Sequence, residues 1–191
     1  MKKKAILILT AIFVILIAAS AFIKHSNGES FNWLDTISRI LAGMLPLLLL
    51  FCKRIPFSLP LIISYYLLLF CTFFLGAIVR FYDRFSWWDT LLHFFGSVFM
   101  AFIAITLYKL FIPEPVEKKV SSWLIFIFVL SFAISSSVIW ESIEFAGTIM
   151  GFLESDSNKD TMTDLLAGMA GGIVAAVYAL FRKKTANEVH K

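Results

Sequence analysis

Charge is scarce in this chain of 191 residues: only 16% are Asp, Glu, Lys or Arg, against about a quarter in a typical soluble domain. Cysteine is scarcer still. Cys52 and Cys71 are the only two, which excludes a disulfide-framed scaffold. The chain has no CxxC pair, no HExxH helix, no GxSxG elbow and no GxxxxGK[ST] loop. Those absences argue against zinc-finger folding, a nucleophile-elbow esterase and ATP hydrolysis. Apolar residues fill the space instead: 60% of the chain is hydrophobic, with 21 Phe, and the mean hydropathy is +0.86. Such a composition excludes a disordered chain and an ordinary soluble enzyme, and identifies an integral membrane protein. The net charge of +4 therefore reads as a topology signal, and no nucleic-acid partner is expected.

A bilayer core is roughly 30 Å thick, so a spanning helix needs about 20 mostly apolar residues. Six stretches qualify, at 5–23, 37–51, 57–79, 88–112, 123–150 and 160–181. The expected fold is all-α: a polytopic helix bundle of six transmembrane helices forming a single integral membrane domain over residues 1–191. Basic residues sort across it. Lys2, Lys3, Lys4, Lys53, Arg54, Lys109, Lys118, Lys119, Arg182, Lys183, Lys184 and Lys191 share one side. Lys24, Arg39, Arg80, Arg84 and Lys159 fall on the other. The positive-inside rule then places both termini in the cytoplasm. Trp33, Trp87 and Trp88 should mark the outer interface and Trp123 the inner one. The first span reads as an uncleaved helix, being longer than a signal-peptide core. The Ala19-Ser20-Ala21 pattern keeps the cleaved alternative open, with five spans in the same orientation. Cys52 and Cys71 should lie at different depths, beyond disulfide reach.

Acidic residues sort more sharply. Only Glu114, Glu117 and Glu188 fall on the cytoplasmic side, whereas ten others fall outside. Asp and Glu contribute little to orientation, so topology alone does not require this. Three helices carry acids at helical spacing: Asp89 with His93 on the fourth, Glu141 with Glu144 on the fifth, Asp160 with Asp164 on the sixth. Separations of three and four place each pair on one helix face, and all three pairs fall at similar depth. Their faces continue in small or hydroxyl residues: Gly96, Ser97 and Ala104; Ser137 and Thr148; Gly168, Gly171, Gly172 and Ala175. Gly168 and Gly172 have the GxxxG spacing of close helix contact. The three polar faces are expected to converge on one water-accessible cleft at the outer leaflet.

An ionised side chain at mid-helix costs about 2.5–3.5 kcal/mol on an insertion scale, so the acids need a reason. Pairing with Arg39, Arg80 and Arg84 could account for two or three of them. A divalent metal held by carboxylates and one imidazole is the second explanation. Carboxylates sharing protons, as in coupled transport, is the third. His25 and His190, in a loop and a tail, receive no role, and Trp140 and Tyr82 read as packing or interfacial anchors.

The run Phe81-Tyr82-Asp83-Arg84-Phe85-Ser86-Trp87-Trp88-Asp89-Thr90-Leu91-Leu92-His93-Phe94-Phe95-Gly96, then Trp140-Glu141-Ser142-Ile143-Glu144-Phe145, then Asp160-Thr161-Met162-Thr163-Asp164-Leu165-Leu166-Ala167-Gly168, resembles the YjdF-like integral membrane proteins of bacteria. The similarity covers residues 75–180 in order. More distantly, the Asp-xxx-His helix start followed by acidic helices resembles VanZ-like membrane proteins. The resemblance implies a multi-pass protein of the bacterial cytoplasmic membrane without an assigned activity, and the matching positions are Asp89, His93, Glu141, Glu144, Asp160 and Asp164.

The leading expectation is a metal-dependent enzyme, a hydrolase or transferase acting on a lipid or envelope precursor. Asp89, His93, Glu141, Glu144, Asp160 and Asp164 would hold a divalent ion of open identity. Glu141 and Glu144 are the candidate catalytic residues, and Arg39 and Arg80 the candidate substrate-phosphate contacts. A proton- or cation-coupled transporter comes second, and a structural or assembly protein using the GxxxG face third. Substrate, reaction and oligomeric state are not readable from the sequence.

Overall fold

The structure is a computed structural model that describes residues 1–28, 32–117, 119–151 and 157–189, with side chains to residue 183. Glu29, Lys118, Glu154, Asp156, His190, Lys191 and the side chains of Lys184 and Glu188 lie outside the described residues. All of the described secondary structure is helical: α1 (Lys2–Ser26), α2 (Trp33–Met44), α3 (Leu59–Leu69), α4 (Phe81–Arg84), α5 (Trp88–Phe111), α6 (Glu114–Glu117), α7 (Ser122–Ile149) and α8 (Asn158–Val189). A 3-10 segment, Leu45–Phe51, prolongs α2, and a π-helical segment, Phe70–Ile78, prolongs α3. Counting these extensions, six helices are long and apolar enough to cross a membrane, and each includes one of the six expected stretches to within a residue or two. The chain divides into two compact units, Met1–Ser86 and Trp87–Lys191.

In the first unit α1, α2 and α3 pack around Ile6, Phe13, Ile17, Ile62 and Tyr66. Gly43 lets α1 and α2 approach, since a Cβ there would run into the Phe13 ring. Pro46 has no N–H to offer the Ala42 carbonyl four residues back. The Tyr65 hydroxyl donates to that carbonyl at 2.6 Å, and the chain tightens into the 3-10 turns that follow. The neighbouring Tyr66 hydroxyl lies 2.6 Å from Thr10 Oγ1 and donates to Gly43 O at 3.4 Å. At the far end of α3 the Val79 N–H reaches back five residues to Phe74 O. Arg80 then turns the chain with φ of 66°, and α4 folds the Tyr82 ring over Gly76.

In the second unit α5, α7 and α8 pack on one another in pairs. The short links at 112–121 and 150–157 make successive helices antiparallel. The interior is built from small residues: Ala101 and Ala104 on α5, Val129 and Ala133 on α7, Ala175, Ala176 and Ala179 on α8. Bulky side chains such as Phe95, Ile127, Ile143, Leu166 and Phe181 point outward. An apolar exterior around a small-residue interior is the inverse of a water-soluble bundle and suits lipid, where close backbone contact drives helix association. Trp33, Trp87 and Trp123 are exposed as interfacial anchors should be, but Trp88 is buried. It opens α5 on the inward face, four residues before Leu92 and five before His93. Cys52 is exposed, Cys71 half-buried, and both are free thiols.

Candidate functional site

Each long helix of the second unit presents an inward ladder at steps of about one turn. On α5 it runs Asp89, His93, Ser97, Ala101; on α7, read backwards, Glu144, Glu141, Ser137, Ala133; on α8, Asp164, Gly168, Gly172, Ala176. Because α5 and α8 begin where α7 finishes, the ladders run level with one another. Acids and imidazole form the mouth, two hydroxyls and a glycine the floor, and alanines the core below.

The His93 side chain is only 5% exposed, with carboxylates on both edges of its ring. Nδ1 lies 3.2 Å from Glu141 Oε1, while Nε2 lies 3.6 Å from Asp89 Oδ1 and 4.0 Å from Glu144 Oε2. Asp164 is buried beside it. Two overlapping donor groups result, Asp89–His93–Asp164 and His93–Glu141–Glu144, each with ligand atoms within 4.8 Å of one another. Exposure falls from 45% at Asp89 through 25% at Glu144 and 10% at Glu141 to 5% at His93, so the group is wet at its mouth and dry at its base.

Glycines make this convergence geometrically possible. A Cβ at Gly168 would overlap Ser137 Oγ and come within 2.9 Å of Ser97 Oγ, and one at Gly171 would overlap the Phe94 carbonyl oxygen. Gly172 stands against Ala133. The hydroxyls of the floor were visible in the sequence only as small polar residues of an interior face. One has a specific state: Ser137 Oγ is buried without a hydrogen-bond partner among the described residues. Gly96, expected on the inward face, instead looks onto open space, because the ladder passes through Ser97, 100° further round the helix.

Of the eight candidate residues, five meet: Asp89, His93, Glu141, Glu144 and Asp164. Asp160 stands exposed one turn earlier, where Ser157 accepts from its N–H at 3.1 Å and lies 3.4 Å from its carboxylate, closing the first turn of α8 as a capping pair. Arg39 and Arg80 belong to the first unit and are engaged there. Arg39 forks onto Asp35 at 2.9 and 2.6 Å, and Arg80 Nε donates to Asp83 at 2.6 Å. Trp140 is half-exposed on the outward side of α7.

Within the second unit, the basic residues of the sequence cluster at 109–119 and 182–191, with Lys159 alone at the acidic end. Four carboxylates around one largely buried imidazole in that setting form a donor set that could hold a metal ion. No curated protein and no solved structure matches the chain, and the VanZ-like likeness rests on the sequence pattern alone. The model of the family described as predicted membrane protein DUF2238 matches residues 5–185, which takes in all three motifs and every span. The chain belongs to that family of membrane proteins.

Proposed function

We propose that the second unit is a divalent-metal site at the outer face of a bacterial cytoplasmic membrane, serving a hydrolase or transferase that acts on a lipid or envelope precursor. The observation that carries this is His93: a largely buried imidazole bracketed by carboxylates from three helices. A carboxylate beside Nδ1 favours the tautomer with its proton there, leaving the Nε2 lone pair for an ion, the carboxylate–histidine–metal arrangement. In that reading Asp89, His93, Glu144 and Asp164 hold the ion, and Glu141 orients the imidazole. Asp160, exposed at the helix start, would contribute charge at the mouth. The donor set fits, being mostly hard oxygen with one nitrogen, and the orphaned Ser137 hydroxyl on the floor suits a site that also holds water. A bound divalent ion supplies Lewis acidity toward a phosphoryl or carbonyl oxygen and acidifies bound water. Glu141 and Glu144 are the protein's own groups positioned to accept a proton there.

A proton- or cation-coupled carrier uses the same residues, and the inward fall in exposure suits an ion entering from outside. The floor speaks against it. Below Ser97 and Ser137 the interior is Ala101, Ala133, Val129 and Ala176, all fully buried, so the polar lining opens to one end only. An assembly role for the GxxxG face has less support, since Gly168 and Gly172 are already covered inside the unit.

Elemental analysis of detergent-purified protein is expected to give one divalent ion per chain. That ion should be lost in Asp164→Asn and His93→Ala and retained in Asp160→Asn. Metal-free protein under several growth conditions would sink the metal reading, and proton flux in proteoliposomes that depends on Glu144 would replace it with transport. If the substitutions among the six weaken the fold and change neither metal nor flux, the acids are structural.

A further inference from the structure

At the opposite end of the second unit, a cavity of about 110 Å³ opens among Tyr108, Lys109, Glu117, Tyr178, Arg182 and Lys183. It is remote from the acidic site: Tyr108 lies fifteen residues along α5 from His93, roughly 22 Å at 1.5 Å per residue. Three cations and one acid line it, giving a local surplus of positive charge. Lys183 is largely buried, yet its Nζ is already committed, donating to the Glu117 backbone oxygen at 2.6 Å and lying 3.9 Å from its carboxylate. Arg182 makes one long contact, 3.5 Å to the Tyr178 hydroxyl, which leaves most of its donors available. Lys109 is exposed at the rim.

The decisive group is Tyr108. It is only 7% exposed, and its hydroxyl is buried without a hydrogen-bond partner among the described residues. Burying a hydroxyl without a partner is costly, a penalty that Phe at this position would not carry. A tyrosine here makes physical sense if an acceptor enters the cavity. That acceptor should be anionic, because Lys109 and Arg182 flank the same space. It should carry several oxygens, because the donors arrive from α5 and α8 in different directions. The cavity is also amphipathic: Ile105, Ile125 and Ala179 line its deeper side. It lies where α5 and α8 reach the basic side of the membrane, the level at which phospholipid headgroups stand, and basic pockets between spanning helices on that side hold anionic headgroups.

We infer that this cavity binds a phosphate group, that of an anionic phospholipid in the leaflet on the basic side, with Tyr108, Lys109 and Arg182 as its donors. Lys183, tied to Glu117, positions α8 against the link following α5 and sets the width of the cavity.

The test is native mass spectrometry of the full-length protein in detergent, titrated separately with short-chain phosphatidylglycerol, short-chain phosphatidylcholine and inorganic phosphate. Wild type is expected to take up one phosphatidylglycerol per chain about tenfold more tightly than phosphatidylcholine. Arg182→Gln with Lys109→Gln should abolish that preference; both side chains are exposed, so the fold is not at stake. Tyr108→Phe should weaken phosphatidylglycerol several-fold while leaving the unliganded protein at least as heat-stable. Millimolar inorganic phosphate that binds one per chain and displaces the lipid would support the phosphate site but assign it to the free anion. Equal binding of the two lipids, or unchanged affinity in Tyr108→Phe and in the double variant, would overturn the inference.

Discussion

Gly168 and Gly96 are both glycines in spanning helices, and only one has a packing reason to be glycine. At Gly168 an added methyl would enter the space held by the Ser137 and Ser97 hydroxyls, and overpacking a tight contact costs about 1–3 kcal/mol. At Gly96 it would meet nothing, and replacing a mid-helix glycine by alanine is worth about 0.5–1 kcal/mol of stability. Thermal unfolding in detergent should therefore move in opposite directions, down for Gly168→Ala and up for Gly96→Ala. Adding Ser137→Ala to Gly168→Ala should recover part of the loss, because it removes the oxygen that the new methyl overlaps. A fall in both single variants would mean that α5 is rotated from the orientation described. Gly171→Ala should be worse than Gly168→Ala, since the obstacle is the Phe94 backbone oxygen, which cannot turn aside as a side chain can. The sequence carried this distinction only in part. Spacing of three and four identified the acids and the hydroxyls, because a chain that must keep charge out of lipid aligns it on one face. It could not rank the glycines. Whether a glycine meets a backbone or open space depends on how two helices cross, and periodicity along one helix does not contain that angle.

Among the elements, the spans were legible because apolar length is imposed by the bilayer, whereas the irregular turns inside two of them were not. The 3-10 extension of α2 follows from one missing donor at Pro46 and one donor supplied from elsewhere, the Tyr65 hydroxyl to Ala42 O. Tyr65 sits 23 residues away, a pairing that no local pattern announces. Tyr65→Phe keeps the ring and removes only that donor. It should lower stability by about 0.5–1.5 kcal/mol, the net worth of one hydrogen bond, without disturbing the proposed metal binding, because the change lies in the first unit and the acidic ladder in the second. An unchanged unfolding temperature would mean that the Leu45 N–H, which also donates to Ala42 O, satisfies the carbonyl by itself and that Tyr65 is merely a packing ring. The π-helical segment is likewise a local event: Val79 N–H bonds to Phe74 O, and the left-handed Arg80 ends the helix so that Tyr82 can cover Gly76.

Across the whole molecule, the charge sequence sets two chemistries at the two ends of the second unit. Carboxylates around His93 occupy one end, and the Tyr108 cavity with its lysines and arginine occupies the other. Their assignment to the outer and inner leaflets rests on the distribution of Lys and Arg, twelve of seventeen on the side of the amino terminus, and so it can be tested apart from any activity. Cys52, exposed just beyond the 3-10 turns, is expected from the sequence topology on that basic side, and Ser86, exposed in the link between α4 and α5, on the other. In intact cells a membrane-impermeant maleimide should leave Cys52 unlabelled until the membrane is permeabilised. It should label Ser86→Cys directly in a chain whose native cysteines are replaced by serine. The reverse pattern would turn the acidic cluster to the cytoplasm. An outer-leaflet precursor would then have no route to it, while the donor set around His93 and its expected metal content would stand unchanged. Orientation thus decides what the site can act on, and the spacing of the acids decides what it can bind.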